Sequence, residues 1–212
     1  MDVYLLRHGE TDWNRTGRLQ GHADTVLNEY GRAQVRDTVK KLCDSGVRVD
    51  AVVSSPLKRA RESAEIAAAM LDYPADEIAV EALLIERGFG EAEGMTLAEG
   101  EKKYPGCSFP GMESQKELTE RAGQAFEKVL GDFQGAQSIL LVAHGAVLFA
   151  LLEAVLAEPI SYEGRAACLP QGSIYRIRHE KGKNSLAVYE EETGAFMETD
   201  EEQLVRLVKV YM

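Results

Sequence analysis

The sequence predicts an α/β fold, in which helices pack against a β-sheet. Short apolar runs of strand length alternate with longer amphipathic stretches, which is the pattern of layered α/β proteins. The clearest runs are Val3–Leu6, Val49–Val53 and Ile139–Ala143. The chain has 212 residues, 45% of them hydrophobic, and no Pro/Ser/Gly-rich linker divides it. We therefore expect one domain spanning residues 1–212.

Helix signals fill the intervals between these runs. Asn28 can cap a helix that Gly46 would terminate, and Ser114 can open another. The expected helices cover residues 28–45, 57–70, 114–133 and 146–156, and a short strand is expected at 80–85. Residues 8–27 and 86–111 are rich in glycine and polar residues and are expected to be loops. The second loop, extended to 87–113, is a candidate lid with one short helix at 96–103.

The C-terminal region predicts a hairpin followed by a segment with two interpretations. Strands are expected at 174–178 and 186–190. Residues 199–202 match the capping-box pattern of a final helix, but residues 204–211 also alternate as a strand would. This segment could pack at an interface, so a homodimer is one of the oligomeric states that the sequence leaves open.

Composition limits the partners and the compartment. The net charge is -11, which disfavours nucleic acid and anionic membranes as partners, so an anionic substrate would need a local basic pocket. Cys43, Cys107 and Cys168 lack the spacing of zinc sites or disulfide frameworks, which predicts free thiols and no metal. The short apolar N-terminus with Asp2 does not resemble a signal peptide, and residues 139–152 are too few to span a bilayer. A cytoplasmic protein is therefore expected.

Two histidines follow predicted buried strands directly. His8 comes after the first strand and His144 after the strand at 139–143, each before a glycine. Ligands of parallel α/β sheets bind beyond the carboxyl ends of the strands, where these histidines would lie. Arg7 and Arg59 are expected at the same edge, and arginine matches phosphate oxygens with paired hydrogen bonds. These four residues predict an anion-binding site.

Glu86 follows an apolar run and is predicted to reach the same site. A carboxyl group beside a phosphate dianion has a raised pKa and can protonate a leaving alkoxide. His8 must be neutral to attack phosphorus, and two nearby arginines disfavour its charged form. Its second ring nitrogen would be held by an acceptor such as a backbone carbonyl.

Four blocks along the chain resemble the signature of the histidine phosphatase superfamily, also called the phosphoglycerate mutase-like family. Their order is the family order, and they span roughly the first 150 residues. An Arg-His-Gly tripeptide alone would be weak evidence, whereas four ordered blocks are specific. The blocks are Leu6-Arg7-His8-Gly9-Glu10-Thr11 continued by Trp13-Asn14 and Gly17-Arg18-x-Gln20-Gly21-x-x-Asp24, Ser54-Ser55-Pro56-Leu57-x-Arg59-Ala60-x-x-Ser63-Ala64, Leu84-x-Glu86-x-x-x-Gly90-x-x-Glu93-Gly94, and Val142-Ala143-His144-Gly145.

The resemblance implies a three-layer α/β/α sandwich with a mostly parallel sheet and catalysis without a cofactor. It implies His8 as nucleophile and Glu86 as proton donor. It further implies that a small phosphorylated metabolite is bound by Arg7, Asn14, Gln20, Gly21, Arg59 and His144. One departure lies near the site, because Gln171-Gly172-Ser173 replaces a frequent Asn-x-Ser and could alter the pocket rim.

The resemblance leaves three functions to compare. Residues 86–90 partly match a cofactor-dependent mutase, but the connection from Gly94 to Ser114 is short and has only Lys102 and Lys103 as basic residues. Such a connection suits hydrolysis of a monoester through a phosphohistidine on His8 better than retention of a bisphosphate. A catalytically silent phosphate-binding module is a third interpretation, which the presence of every catalytic residue type disfavours.

Overall fold

The computed structural model describes residues 1–156, 167–199 and 209–210. Seven strands in this part form one mixed sheet with the order β3-β2-β4-β1-β6-β7-β8, and β5 pairs with β9 in a separate two-stranded sheet. The strands are β1 Asp2–Arg7, β2 Ala51–Ser54, β3 Ala79–Val80, β4 Ser138–Ala143, β5 Ala167–Cys168, β6 Ile174–Glu180, β7 Lys183–Glu190, β8 Ala195–Glu198 and β9 Lys209–Val210. The α-helices are α1 Asp12–Arg15, α2 Glu29–Asp44, α3 Lys58–Met70, α4 Leu97–Lys103, α5 Gln115–Asp132 and α6 Gly145–Val155.

The sheet separates two hydrophobic cores, which confirms the three-layer prediction. Side chains alternate along each strand, so Val3 and Leu5 of β1 face one core while Tyr4 and Leu6 face the other. Helices α5 and α6 cover the first face, and α2 and α3 cover the second. Strand β4 is buried on both faces, which explains its unbroken apolar run.

The sheet is mixed, with a parallel part and an antiparallel part. Strands β3, β2, β4 and β1 pair in parallel, whereas β6, β7 and β8 extend the sheet in antiparallel order. Strands β6, β7 and β8 are joined by short connections, which makes them antiparallel, because parallel neighbours need a crossover of a dozen residues or more. The predicted hairpin is confirmed, and β8 adds a strand that the sequence pattern did not indicate.

Two local predictions were wrong because a side chain caps the backbone. The strand expected at 80–85 ends after Val80, since the Glu81 carboxylate accepts the Leu83 N–H at 2.9 Å and begins a 3-10 turn. Residues 12–15 form a one-turn helix inside the first predicted loop. Thr11 and Asn14 there cap each other's backbone N–H groups.

The helix boundaries otherwise agree closely with the predicted ones. The caps Asn28, Thr96 and Ser114 each accept a backbone N–H in the first turn of α2, α4 and α5. Residues 200–208, which make up most of the C-terminal segment with two interpretations, lie outside the described residues. Lys209–Val210 pairs as a strand with β5, in agreement with the strand interpretation at that point.

The carboxyl ends of the central strands lie side by side. In the parallel register Arg7 is opposite Ala143, and Ser54 is opposite Val142. The chain continues this register beyond the strands, since the His8 N–H donates to the Ala143 carbonyl at 3.0 Å. The residues that follow β1, β2 and β4 therefore lie together at the edge of the sheet formed by the carboxyl ends of these strands.

Candidate active site

A cavity of about 260 Å³ lies at this edge of the sheet. It is lined by seven of the residues predicted from the sequence, and His144 lies directly behind it with its ring centroid 5.0 Å from that of His8. The seven residues are Arg7, His8, Asn14, Gln20, Gly21, Arg59 and Glu86. Leu19, Phe89 and Leu97 add an apolar wall.

His8 is buried and has one defined ring orientation. Its Nδ1 lies 2.7 Å from the Gly9 carbonyl oxygen, which can only accept, so Nδ1 carries the hydrogen and Nε2 keeps its lone pair. Burial, followed by the charges of Arg59 and Arg7, lowers the pKa of His8 well below its usual value. The ring is therefore a neutral imidazole with Nε2 available as a nucleophile.

Glycine at position 9 allows this loop to approach α2 closely. A Cβ atom at Gly9 would lie 2.2 Å from the Gly31 carbonyl oxygen, so any larger residue would displace the loop that carries His8. The Gly9 N–H donates to Ser63 Oγ at 3.2 Å, and Ser63 donates to the Arg59 carbonyl. Ser63 thus connects the His8 loop to the helix that carries Arg59.

Arg7 is held by the segment after α6. Its Nη1 donates to the Leu169 carbonyl at 2.5 Å and lies 3.3 Å from Cys168 Sγ. A Cβ atom at Gly145 would lie 2.9 Å from the Arg7 guanidinium carbon, so glycine at the start of α6 is needed for this packing. Gly145, the glycine after His144, therefore has a steric role.

Arg59 and His144 form a buried pair. Arg59 Nε donates to His144 Nδ1 at 3.2 Å, so the ring hydrogen lies on Nε2, which is 2.7 Å from Ser55 Oγ. Burial and then the charge of Arg59 lower the pKa of His144 well below its usual value. Burial also lowers the pKa of Arg59 to about 10, which leaves it charged at neutral pH. Both nitrogens of His144 thus contact protein groups, and its direct contact with phosphate stays a prediction.

The remaining hydrogen bonds of Arg59 reach the first loop. Nη1 donates to the Ala23 carbonyl at 2.7 Å, and Nη2 donates to the Gly21 carbonyl at 2.8 Å. Gly21 has a positive φ of 51°, and a Cβ atom there would lie 2.0 Å from the Glu93 carboxylate. Asp24 of the same loop accepts the Lys58 N–H at 2.8 Å and so caps α3. The first loop and helix α3, which carries Arg59, therefore hold each other in position.

Glu86 lies at the N-terminus of α6. Its Oε1 accepts the N–H groups of Val147 at 3.1 Å and Arg87 at 2.9 Å, and Oε2 lies 3.4 Å from the Ala146 nitrogen. Helix N-termini favour a nearby negative charge, so the carboxylate is fixed in place before any substrate enters.

Arg121 is a supporting residue that the sequence analysis missed. It donates to the carbonyls of Leu83 and Ile85 at 2.6 and 2.8 Å and forms a paired salt bridge with Glu113. It therefore joins α5 to the backbone that carries Glu86 and to the end of the candidate lid. No local signal marks it, because its partners lie 8 to 38 positions away.

The candidate lid, residues 87–113, is joined at its two ends. The Glu113 N–H donates to the Gly88 carbonyl at 2.9 Å, and Phe89 pairs with Met112. Its middle pairs with the first loop, since the Leu19 N–H donates to the Met95 carbonyl at 2.9 Å. The segment thus closes one side of the cavity through Phe89 and Leu97.

Comparison with known proteins identifies the family. The model of the histidine phosphatase superfamily, branch 1, matches residues 3–192. The chain belongs to this superfamily. An uncharacterised phosphatase of Bacillus subtilis, PhoE, is 43% identical over 150 residues, which cover 71% of this chain and 75% of that one.

Two further relatives show how widely the branch varies. A probable phosphoglycerate mutase, GpmB, of Erwinia tasmaniensis is 32% identical and covers 85% of this chain and 86% of its own. The crystal structure of the α-ribazole phosphatase of Shigella flexneri is 25% identical, with a TM-score of 0.74 and coverage of 89% and 95%. The histidine phosphatase fold predicted from the four blocks is therefore confirmed.

Two negative observations apply to the described part of the chain. None of its helices has the length and hydropathy needed to cross a bilayer. Its histidine, cysteine and acidic side chains form no group of three or more suited to a metal ion.

The buried histidines predict a specific pH dependence of folding stability. His8 and His144 have lowered pKa values in the folded protein, so the unfolded chain binds more protons once the pH falls below about 6.5. Stability should be unaffected by these groups above that pH. Below it, we expect the free energy of unfolding to decrease by up to about 1.4 kcal/mol per pH unit for each histidine.

Urea unfolding at pH 7.5, 6.0 and 5.0 measures this effect. The range stays above the pH at which most carboxylates of an unfolded chain titrate. His144→Asn should reduce the slope, since it removes one of the two groups. A free energy of unfolding that is constant from pH 7.5 to 5.0 would contradict the assignment of two neutral buried histidines.

Proposed function

We propose that this histidine phosphatase hydrolyses small phosphomonoesters through a covalent phosphohistidine on His8. The observation that carries the proposal is the state of His8, a buried neutral ring whose Nδ1 is held by the Gly9 carbonyl beside two arginines. That arrangement gives Nε2 the role of nucleophile. The phosphatases among the relatives support the same reaction class.

In the proposed first step, His8 Nε2 forms a bond to phosphorus as the ester P–O bond breaks. Charge spreads over three equatorial oxygens, which Arg7, Arg59 and the Asn14 amide can stabilise by hydrogen bonds. His144 acts through Arg59 by accepting its Nε–H. Gln20 and Gly21 shape the loop that holds Arg59.

Glu86 handles the proton in both steps. A carboxylate and a phosphate dianion repel each other, so binding the substrate favours a proton shared between them. The departing alkoxide takes this proton and leaves as an alcohol. Water then attacks phosphorus and gives a proton to Glu86 as the P–N bond breaks, which releases phosphate and restores His8.

The cavity and the cysteines bear on three further parts of the proposal, namely the size of the substrate, the compartment and the lid. A volume of about 260 Å³ fits a small metabolite, and the apolar wall suits a compact leaving group. No disulfide joins Cys43, Cys107 or Cys168, which supports a reducing cytoplasmic compartment. Residues 87–113 are proposed to act as the lid that excludes water during transfer.

Product analysis distinguishes hydrolysis from mutase activity. Incubation with 3-phosphoglycerate and its bisphosphate, with a chelator present, should release inorganic phosphate as the main product. The reason is that Lys102 and Lys103, the basic residues of the connection from Gly94 to Ser114, do not line the cavity, and Lys103 lies 3.6 Å from Glu91 instead. This connection therefore offers no lysine to hold the second phosphate of a bisphosphate.

A phosphomonoester screen under the same conditions would rank substrates, with phosphate release as the readout. Predominant formation of 2-phosphoglycerate would contradict the phosphatase proposal and favour the mutase. Absence of turnover with every ester, in a protein that still binds vanadate, would favour a silent phosphate-binding module.

A further inference from the structure

Residues 167–173, called the rim segment below, contact two of the proposed phosphate ligands. The Leu169 carbonyl accepts from Arg7, as described above. Gln171 Nε2 donates to Asn14 Oδ1 at 2.9 Å, across 157 positions of sequence. Gln171 also lines the cavity and stands where the family frequently has another residue.

The amide of Asn14 needs a fixed orientation to bind an anion. Its oxygen repels a phosphate dianion, whereas its Nδ2 group can donate two hydrogen bonds. Asn14 Oδ1 accepts the backbone N–H of Thr11 at 3.1 Å and the Nε2–H of Gln171 at 2.9 Å, which matches its two lone pairs. The Thr11 hydroxyl has one hydrogen, which Asn14 and Gln20 Oε1 share as alternative acceptors at 3.1 and 3.0 Å.

We infer that Gln171 is a positioning residue for phosphoryl binding. It holds the Asn14 amide so that the Nδ2 group faces the phosphoryl group and can donate hydrogen bonds to it. This inference rests on the proposed function. Gln171 acts at the phosphoryl end of the substrate and through Asn14, so its effect does not depend on the leaving group. The rim segment thereby supports the phosphate site although it is distant from Arg7 and Asn14 in the sequence.

Replacement of Gln171 by an isosteric residue tests the inference. Gln171→Met keeps the length of the side chain but removes the donor. We expect kcat/KM to fall about three- to tenfold for all phosphomonoesters alike, which corresponds to one neutral hydrogen bond. Inhibition by orthovanadate, which mimics the transferring phosphoryl group, should weaken by a similar factor. Gln171→Glu places a carboxylate against Asn14 Oδ1 and should lose more.

A double-mutant cycle separates this role from a structural one. In an Asn14→Ala background, Gln171→Met should cause no further loss, because the group that it positions is absent. Gln134→Met, at an exposed site beyond the end of α5, is the matched control and should leave kinetics unchanged. Thermal melting of each variant checks that the fold is retained.

Three outcomes overturn the inference. These are unchanged kinetics in both Gln171 variants, an equal loss in the Asn14→Ala background, and a loss that varies with the leaving group while vanadate affinity is kept. The last would show that Gln171 contacts the leaving group directly. Wild-type turnover and vanadate binding are measured first, so failure of the proposed function is seen in the unaltered protein.

Discussion

The His8→Ala variant is expected to lose phosphomonoester hydrolysis almost completely, with kcat reduced about 10³-fold or more. The reason is that no other described group combines a ring nitrogen lone pair with contact to the cavity, since both nitrogens of His144 contact protein groups. Binding should be affected less, because Arg7, Arg59 and Asn14 remain.

A labelled intermediate is the decisive measurement for His8. Wild-type protein mixed with a ³²P-labelled ester and quenched with denaturant should retain label that is stable in alkali and released by acid. His8→Ala should retain none. His179→Ala is the matched control, since His179 lies in β6 and is hydrogen-bonded to Asn184 away from the cavity. Label in His8→Ala equal to that in wild type would exclude His8 as the nucleophile.

The sequence indicated where part of the candidate site lies, because some of its residues follow strands directly. Arg7 and His8 continue β1, and His144 continues β4, so the parallel register alone brings them together. The glycines after both histidines are explained by close packing, against the Gly31 backbone for Gly9 and against the Arg7 side chain for Gly145. Local patterns carry this information because Arg7, His8 and His144 each lie within one residue of a strand end.

Contacts between distant parts of the chain could not be predicted in the same way. The pairs Ser55–His144, Ser63–Gly9 and Arg121–Leu83 depend on how the helices pack against the sheet. Propensity and periodicity describe faces and boundaries, and they do not specify which polar side chains meet. Strand β3 is shorter than predicted for a different reason, because the Glu81 cap is a local hydrogen bond that outcompetes strand pairing.

The position of Glu86 adds structural detail to its predicted role as proton donor. The sequence suggested a carboxyl group beside the phosphate, and the structure shows it accepting backbone N–H groups at the start of α6. The same helix follows directly on His144, and Arg121 supports the chain just before Glu86. A group held this firmly can receive and return a proton without moving, which a two-step transfer needs.

Glu86→Gln is therefore expected to reduce turnover in a way that depends on the leaving group. Gln keeps the shape and one acceptor oxygen for the Val147 and Arg87 N–H groups, so the fold should be retained. Alkyl phosphates need a proton on the departing oxygen and should lose about 10²-fold or more in kcat/KM. The first step of p-nitrophenyl phosphate needs no such proton and should be affected far less.

The test plots log kcat/KM against the acidity of the leaving alcohol for wild type and variant. The variant should show a steeper dependence, because negative charge then builds up on an unprotonated oxygen. Glu127→Gln is the matched control, since it removes one exposed carboxylate from α5, away from the cavity, and should leave the slope unchanged. Parallel lines for wild type and Glu86→Gln would remove Glu86 from the proton-donor role and leave it as a structural cap of α6.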